Sequence, residues 1–266
     1  DPCSPRRTRN QDERMTDYLL VHGAGQGAWS WGRVWGYLTA PVEHPPRLYA
    51  SRPANLVYPL DLPGHGADAD GDTAVVRLEE CVHAIVRAVE REGLKDVVLV
   101  GHGFAGGLLL QAAAALPKPP KRLVLVGAIV PVNQRNMLSA LPQRVRAGFR
   151  LLAALSKLSR QNLKFPRLVI GRFLCNGMDP MEIILSLGFF GPLPVRVMKT
   201  KLDLGDGPPP CPVTYVVLNQ DKVVPPERQE RMAQRLPGVE IVPVDSCHQV
   251  TLYRPRELAE ILRRYA

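Results

Sequence analysis

Short runs of Val, Leu and Ile alternate with amphipathic helical stretches along most of this 266-residue chain. Such runs are typical of strands buried on both faces of a parallel sheet, and the helical stretches are typical of the crossovers between them. We expect strands near Tyr18–His22, Leu56–Leu60, Val97–Val100, Leu123–Val126, Thr214–Leu218 and Glu240–Val244. The sequence therefore predicts an α/β fold with a doubly wound, mostly parallel sheet.

The stretch from Val75 to Glu90 shows the helical period most clearly. Its large apolar residues fall on one face of a helix: Val75, Leu78, Val82, Ile85, Val86 and Val89. A helix with one apolar face packs that face against a sheet and leaves the other face in solvent. We therefore expect one of the crossover helices here.

The alternation breaks between Pro131 and Leu204, where helical patterns follow one another without a strand. This predicts a helical cap, residues 131–204, inserted into a core formed by residues 15–130 and 205–266. The cap has 12 Lys and Arg against 3 Asp and Glu, a surplus of +9 that equals the net charge of the chain. A basic surface attracts anionic substrates or membranes, but an ordinary solvated helix face looks the same. No nucleic-acid motif accompanies the charge, so nucleic-acid binding is not expected.

One predicted strand-to-helix turn carries a specific pattern. The strand at Val97–Val100 leads into Gly101-His102-Gly103-Phe104-Ala105-Gly106, and a Leu- and Ala-rich helix follows. The pattern G-x-S-x-G uses the same setting, because small neighbours let a strained turn form and expose a central serine. Gly103 stands at the position of that serine, so the turn is present and its reactive hydroxyl is absent.

Two later segments hold candidate partners of such a nucleophile. Asp221 follows the strand at Thr214–Leu218, and His248 follows the strand at Glu240–Val244. The order of nucleophile, acid and histidine is one of those known for serine triads. Taken alone, an Asp in a turn is more often a cap or turn residue, so the assignment depends on the combination of segments.

Several segments together resemble a known family. They are Leu19–Trp31, Asp61–Gly66, Gly101–Gly107, Val216–Pro225 and Asp245–Val250. From Tyr18 onward the chain resembles the α/β-hydrolase fold superfamily. Within it, the chain is similar to the branch of hydroxynitrile lyases, plant methylesterases and bacterial esterases such as pyrethroid hydrolases.

This resemblance implies roles for individual residues. Gly103 occupies the position of the nucleophile, and Asp221 and His248 occupy those of the triad acid and histidine. The backbone N–H groups of Ala24 and Phe104 occupy the positions of the oxyanion hole, and these main-chain donors survive the loss of a serine. The resemblance also implies a small-molecule ester or related apolar substrate, no cofactor and no metal ion.

The missing hydroxyl leaves three classes of function open. The first is a carboxyl-ester hydrolase scaffold for small, largely apolar esters, whose serine was lost by design or in nature. The second is a lyase or other proton-transfer enzyme that uses the dyad of His248 and Asp221 without a nucleophile. The third is a non-catalytic pseudo-hydrolase that binds a small molecule or a protein, against which the dyad argues mildly, since a buried charged pair is costly to keep.

Large apolar side chains of the cap bear on the substrate. They are Leu151, Leu152, Leu155, Phe165, Ile183, Ile184, Leu187, Phe189 and Phe190. They either line a pocket for an apolar ester or close the cap onto the core, and both interpretations stay open.

The cysteines and the lengths of the apolar runs indicate the redox state and the location of the protein. The cysteines Cys3, Cys81, Cys175, Cys211 and Cys247 form an odd set without a C-x-x-C pair, so we expect reduced thiols rather than disulfides or a zinc site. No apolar run is long enough for a membrane span, and we expect a cytoplasmic protein, with a homo-oligomer left open.

The histidines other than His248 show no metal-ligand spacing. We expect His102 to pack or bond locally in the turn, and His22 and His65 to belong to structural loops. Residues 1–14 form a tail, which is either upstream or vector-derived sequence before a natural start at Met15 or a disordered native segment.

Overall fold

The computed structural model describes residues 16–40 and 55–266, so the predicted tail at residues 1–14 lies outside the described part. Within it the strands are Tyr18–Val21 (β1), Val57–Leu60 (β2), Val98–His102 (β3), Arg122–Val126 (β4), Val213–Leu218 (β5) and Glu240–Val244 (β6). They form one parallel sheet in the order β2-β1-β3-β4-β5-β6. The predicted fold class is confirmed, with each strand within two residues of its predicted ends.

The helices are Gly32–Thr39 (α1), Leu78–Arg91 (α2), Ala105–Ala115 (α3), Gln143–Ser159 (α4), Arg167–Val169 (α5), Pro180–Leu187 (α6), Val195–Lys199 (α7), Pro226–Ala233 (α8), Val250–Tyr253 (α9) and Pro255–Arg263 (α10). Single 3₁₀ turns lie at Ala28–Trp31, Gly66–Asp68 and Met137–Ala140, and a π-helical turn lies at Ile170–Leu174. Residues 131–204 contain α4 to α7 and two isolated bridges, Asn136 with Lys201 and Lys164 with Pro192. The division of the chain into core and cap stays a prediction.

Helix α2 begins at Leu78 rather than at the predicted Val75. The chain is still extended at Arg77, whose backbone N–H donates to the Glu80 carboxylate at 2.6 Å and so closes the first turn there. Val75 therefore lies before the helix and is 62% exposed. The apolar spacing extends to Val75, one turn before the helix begins, because such spacing does not show where a helix is capped.

Alternate side chains of the strands β1, β3, β4 and β5 enter two separate cores. Leu19 and Val21 of β1 pack in the core that also holds α2, α3 and α8, whereas Tyr18 and Leu20 pack in the core that holds α1 and α10. Strands buried on both faces carry unbroken apolar runs, which is the pattern that the sequence shows. Helices cover both faces of the sheet, as the doubly wound prediction requires.

The order of the strands changes direction next to β1. The chain leaves β1 toward β2 on one side, and then places β3 on the other side of β1, with Val21 opposite Gly101. At such a switch point the loops after two neighbouring strands diverge and leave a crevice at their carboxyl ends. The loop after β1 and the turn after β3 therefore face each other.

The described cysteines Cys81, Cys175, Cys211 and Cys247 are free thiols, and Cys3 lies outside the described residues. Burial raises the pKa of Cys175 to about 12 and that of Cys247 to about 11, which makes both poor nucleophiles. In the described part of the chain, no helix is both long and apolar enough to cross a bilayer.

Asp61 links the loops after β1 and β2. Its carboxylate accepts hydrogen bonds from the backbone N–H groups of Ala28, at 2.6 Å, and Ala67, at 3.3 Å. A Cβ at Gly66 would overlap this carboxylate, and Gly66 has a left-handed φ of 54°. Only glycine fits such a position without strain.

The substitution Gly66→Ala should therefore lower the free energy of unfolding by more than about 2 kcal/mol, through backbone strain and the displaced Asp61. Urea denaturation measures the change. Gly71→Ala is the matched control, because a Cβ at Gly71 has open space around it. Equal stability of the two variants would contradict this account of the loop.

Candidate active site

Gly103 directly follows β3 and adopts a left-handed φ of 55°. Its N–H donates to the Val126 carbonyl at 3.0 Å, and its own carbonyl accepts hydrogen bonds from Ile129 at 2.7 Å and Gly106 at 3.3 Å. These bonds fix the turn to the neighbouring strand β4 and its loop. The backbone is therefore held in the conformation that presents residue 103 outward, whichever side chain it carries.

The loops after β5 and β6 bring Asp221 and His248 together. The Nδ1 atom of His248 lies 2.7 Å from Oδ2 of Asp221, and both residues are buried. With Nδ1–H donating to the carboxylate, Nε2 is free to accept a proton. Nε2 lies 3.2 Å from the position that a Cβ would take at Gly103, so the imidazole faces the nucleophile position.

Asp221 is held by more than the histidine. Its Oδ1 accepts hydrogen bonds from the backbone N–H groups of Val223 at 2.7 Å and Val224 at 2.9 Å. Its Oδ2 accepts a further bond from the side-chain amide of Gln229 at 3.1 Å. Four donors therefore share one buried carboxylate, which orients it toward His248.

Gln229 is a residue that sequence reasoning missed. It is fully buried at the first turns of α8, donates to the Val224 carbonyl at 2.6 Å, and accepts from the Leu218 N–H at 3.0 Å. It thus joins the end of β5 to the loop that carries Asp221. No motif marks it, because its role depends on how α8 packs beneath the strand end.

Ala24 and Phe104, the predicted oxyanion donors, lie at the ends of the two strands at the switch point. Phe104 precedes α3, and Ala24 lies in the loop after β1. The loop reaches the turn, because Gly23 Cα lies 3.7 Å from a Cβ position built at Gly103. Among the described residues, neither backbone N–H donates to a protein acceptor, so both are available to a ligand oxygen.

A chain of neutral side chains connects the three loops of the site. His102 lies 2.8 Å from the His248 carbonyl through Nε2, and the next residue, Gln249, accepts a bond from Gln26 at 2.8 Å. Gln26 in turn accepts from the Gly23 N–H at 3.2 Å. We expected His102 to pack or bond locally, but its ring contacts the backbone of His248, 146 residues further along the chain.

Three buried histidines around the site are neutral. Burial lowers the pKa of His22 to about 4 and that of His102 to about 3, and it holds the pKa of His65 well below its usual value. His22 uses both ring nitrogens, since Nδ1 lies 2.9 Å from the Gly23 carbonyl and Nε2 accepts from the Leu62 N–H. His22 and His65 therefore serve as loop supports, as expected for structural positions.

The cap is bonded to two loops of the site. The Gly191 N–H donates to the Gly25 carbonyl at 2.9 Å, and the Gln249 N–H donates to the Leu174 carbonyl at 3.0 Å. The ring of Trp29 lies 5.4 Å from Phe189 and 5.5 Å from Phe190, measured between centroids. The loop after β1 and the loop that carries His248 are thus each hydrogen-bonded to residues of the predicted cap.

The large apolar side chains of the cap divide between two environments. Leu152, Phe165, Ile183, Leu187 and Phe190 are half-buried against apolar clusters. Leu151, Leu155, Ile184 and Phe189 are more than half exposed. The second group therefore does not close the cap onto the core.

No group of His, Cys, Asp and Glu side chains within residues 16–40 and 55–266 is arranged to hold a metal ion. His83 is exposed on α2, and His44 lies outside the described residues. A surface cavity of about 830 Å³ lies between β2 and α2, and its lining includes Asp61 but not Gly103, Asp221 or His248.

The three neutral histidines predict acid sensitivity. In the unfolded chain their pKa returns to about 6.5, so unfolding takes up protons at mildly acidic pH, and the free energy of unfolding falls as pH decreases. From about pH 7 to about pH 5.5 the loss should approach about 4 kcal/mol if all three stay neutral when folded. Urea denaturation across this range tests it.

The variant His102→Gln should weaken this pH dependence by about one third, because Gln still donates to the His248 carbonyl but does not titrate. His83→Gln, at an exposed position of α2, is the matched control and should leave the slope unchanged. A stability that does not change over this pH range would contradict the neutral assignment.

Comparison with known proteins supports the resemblance in the sequence. The chain is 24% identical over 273 residues to methylesterase 1 of Arabidopsis thaliana, covering 97% of this chain and 98% of that protein. It spans 55% of the length of another relative, putative methylesterase 15, chloroplastic, of the same plant, at 22% identity over 92% of this chain.

Solved structures share the fold. An extracellular alpha/beta-hydrolase from a Paenibacillus species has a TM-score of 0.79 at 21% identity, covering 95% of this chain and 99% of that chain. A pyrethroid hydrolase from Sphingobium faniae JZ-2 has a TM-score of 0.68 at 20% identity, covering 95% and 97%. The predicted similarity to plant methylesterases and to bacterial pyrethroid hydrolases is confirmed.

The sequence model of the alpha/beta hydrolase family matches residues 18–261, nearly all of the described chain. The protein is thereby a member of the alpha/beta hydrolase family.

Proposed function

We propose that this protein binds small, largely apolar carboxyl esters and hydrolyses them slowly, with His248 activating water in place of a serine. The observation that carries the proposal is the imidazole of His248, held by Asp221 at 2.7 Å and directed at the empty side-chain position of Gly103. In this proposal a water molecule takes the place of the missing CH₂OH group, at a position whose Cβ would lie 3.2 Å from Nε2 of His248. A water there lies within reach of Nε2.

The proposed reaction uses the groups of the site in a fixed order. The water oxygen attacks the carbonyl carbon while Nε2 of His248 accepts the water proton, and Asp221 stabilises the imidazolium. The N–H groups of Ala24 and Phe104 bind the carbonyl oxygen as it becomes negative. The bond to the alkoxy oxygen then breaks, His248 returns the proton to it, and an acid and an alcohol leave.

Two observations support apolar esters as the substrate class. The relatives named above include methylesterases, so the scaffold is one that handles esters. The cap presents Phe189 and Phe190 beside Trp29 of the oxyanion loop, and apolar surface next to polar donors favours a ligand with an apolar body and one polar group.

Restoring the hydroxyl tests the scaffold. Gly103→Ser should raise the turnover of p-nitrophenyl acetate and butyrate by at least about 100-fold, because the base and both oxyanion donors are in place. It should also lower the free energy of unfolding by about 1–2 kcal/mol, since φ at this position is left-handed.

Gly103→Ala is the matched control. It adds the same Cβ, 3.2 Å from Nε2 of His248, and should show the same loss of stability with no gain in turnover. A folded Gly103→Ser protein that is no faster than Gly103→Ala would overturn the esterase proposal.

The chain with Gly103 should retain a low esterase activity that depends on His248. Oxyanion donors and binding alone leave about 10³–10⁴-fold over water in a serine protease stripped of its triad. His248→Ala should remove the part of the rate that comes from water activation, and His83→Ala should leave it unchanged. Long-time hydrolysis assays and calorimetric titration with an apolar ester measure rate and affinity. Unchanged affinity with no rate dependent on His248 would identify a binding protein instead.

A further inference from the structure

Helix α4 is apolar on the side that faces solvent. Phe149 and Ala153 turn toward the core, whereas Leu151, Leu155 and Leu158 are 62%, 52% and 84% exposed. The spacing of i, i+4 and i+7 places the three leucines in one stripe, opposite the buried side of the helix. A surface helix in water ordinarily shows polar residues on this side.

The same helix is strongly basic. It contains Arg144, Arg146, Arg150 and Lys157 and no acidic residue. Arg150 and Lys157 each precede a leucine of the stripe by one residue, which places both about 100° around the helix on one side of the stripe, and both are exposed. The outer face of α4, defined here as these three leucines with Arg150 and Lys157, combines an apolar strip with positive charge.

Exposed apolar residues are concentrated in the cap as a whole. Of the 15 large hydrophobic side chains exposed in the described part of the chain, 10 lie in residues 131–204. A second stripe lies on α6, where Met181, Ile184 and Leu185 are each more than 60% exposed. Exposed apolar patches of this kind mark interaction sites.

Charge decides which partner the outer face of α4 fits. Contact with the same face of a second copy would bring two helices with four positive charges each against one another. The chain segments outside the described residues have no excess of Asp and Glu over Arg and Lys, so they do not complement the face either. An anionic bilayer supplies both a negative surface for the basic residues and an apolar layer for the leucines.

We infer that the outer face of α4 is a docking surface for anionic lipid membranes. The leucines insert at the level of the headgroups, and Arg150 and Lys157 contact lipid phosphates or carboxylates. The protein lies on the membrane surface through its cap. This inference is independent of the proposed ester chemistry.

Co-sedimentation with vesicles tests the inference. The full chain should bind vesicles of phosphatidylcholine mixed with phosphatidylglycerol much more tightly than vesicles of phosphatidylcholine alone, and added salt should weaken binding. The combined variant Arg150→Glu and Lys157→Glu should lose at least about fivefold in partition coefficient per residue replaced. The combined variant Leu151→Ser, Leu155→Ser and Leu158→Ser should lose a similar amount.

Matched controls replace exposed residues outside residues 131–204. Ile241→Ser and Val75→Ser remove apolar groups that are 39% and 62% exposed, and Arg87→Glu reverses an exposed charge on α2. All of them should bind vesicles as the parent does. Thermal denaturation checks that each variant is folded. We expect all of them to fold, because every replaced residue is exposed.

Four outcomes would overturn the inference. The first is no binding to anionic vesicles, and the second is binding that the α4 variants and the controls weaken equally. The third is a dimer in sedimentation velocity that the leucine variant dissociates, which would assign the face to a second copy of this chain. Loss of binding in the charge variant alone would also overturn it, since insertion of the leucines is part of the inference.

Discussion

The pairing of β1 with β3 is the constraint on which the site depends. Because β2 lies beyond β1, these two strands are neighbours whose chains continue in opposite directions, and their carboxyl ends open a crevice. The loop with Ala24 and the turn with Gly103 and Phe104 are the two walls of that crevice. The loops after β5 and β6 then position the imidazole of His248 over this crevice, whose place is set by the sheet.

His248 is positioned by residues that are far from it in the sequence. His248 is fixed by Asp221 on its ring and by His102 on its carbonyl, so its position is set from both β3 and β5. Gln229 orients the carboxylate from α8. Each of these contacts uses a buried polar group that is costly to leave without a partner, so the arrangement resists partial opening.

Sequence reasoning predicted the parts of this structure that depend on local pattern. The apolar runs identified the strands, and the small residues around Gly103 identified the turn. The order of Asp221 and His248 then pointed to a pair that the structure brings within hydrogen-bond distance. It missed Gln229 and the bonds of Gln26 and Gln249, because partners of buried amides are chosen by tertiary packing and leave no periodicity. It also left the apolar residues of the cap undecided, since leucines such as Leu151 and Leu158 look alike in sequence whether a helix face is covered or exposed.

The left-handed backbone at residue 103 has a consequence for how such a chain changes over time. An L side chain is strained there, so a serine persists only while turnover is selected. Once that selection is relaxed, replacement by glycine is favourable for folding, and it leaves the oxyanion loop, the dyad and the cap contacts intact. For this chain, an exchange of serine for glycine at residue 103 is therefore expected to remove covalent catalysis and to stabilise the fold, and the surrounding architecture would not show that the exchange had occurred.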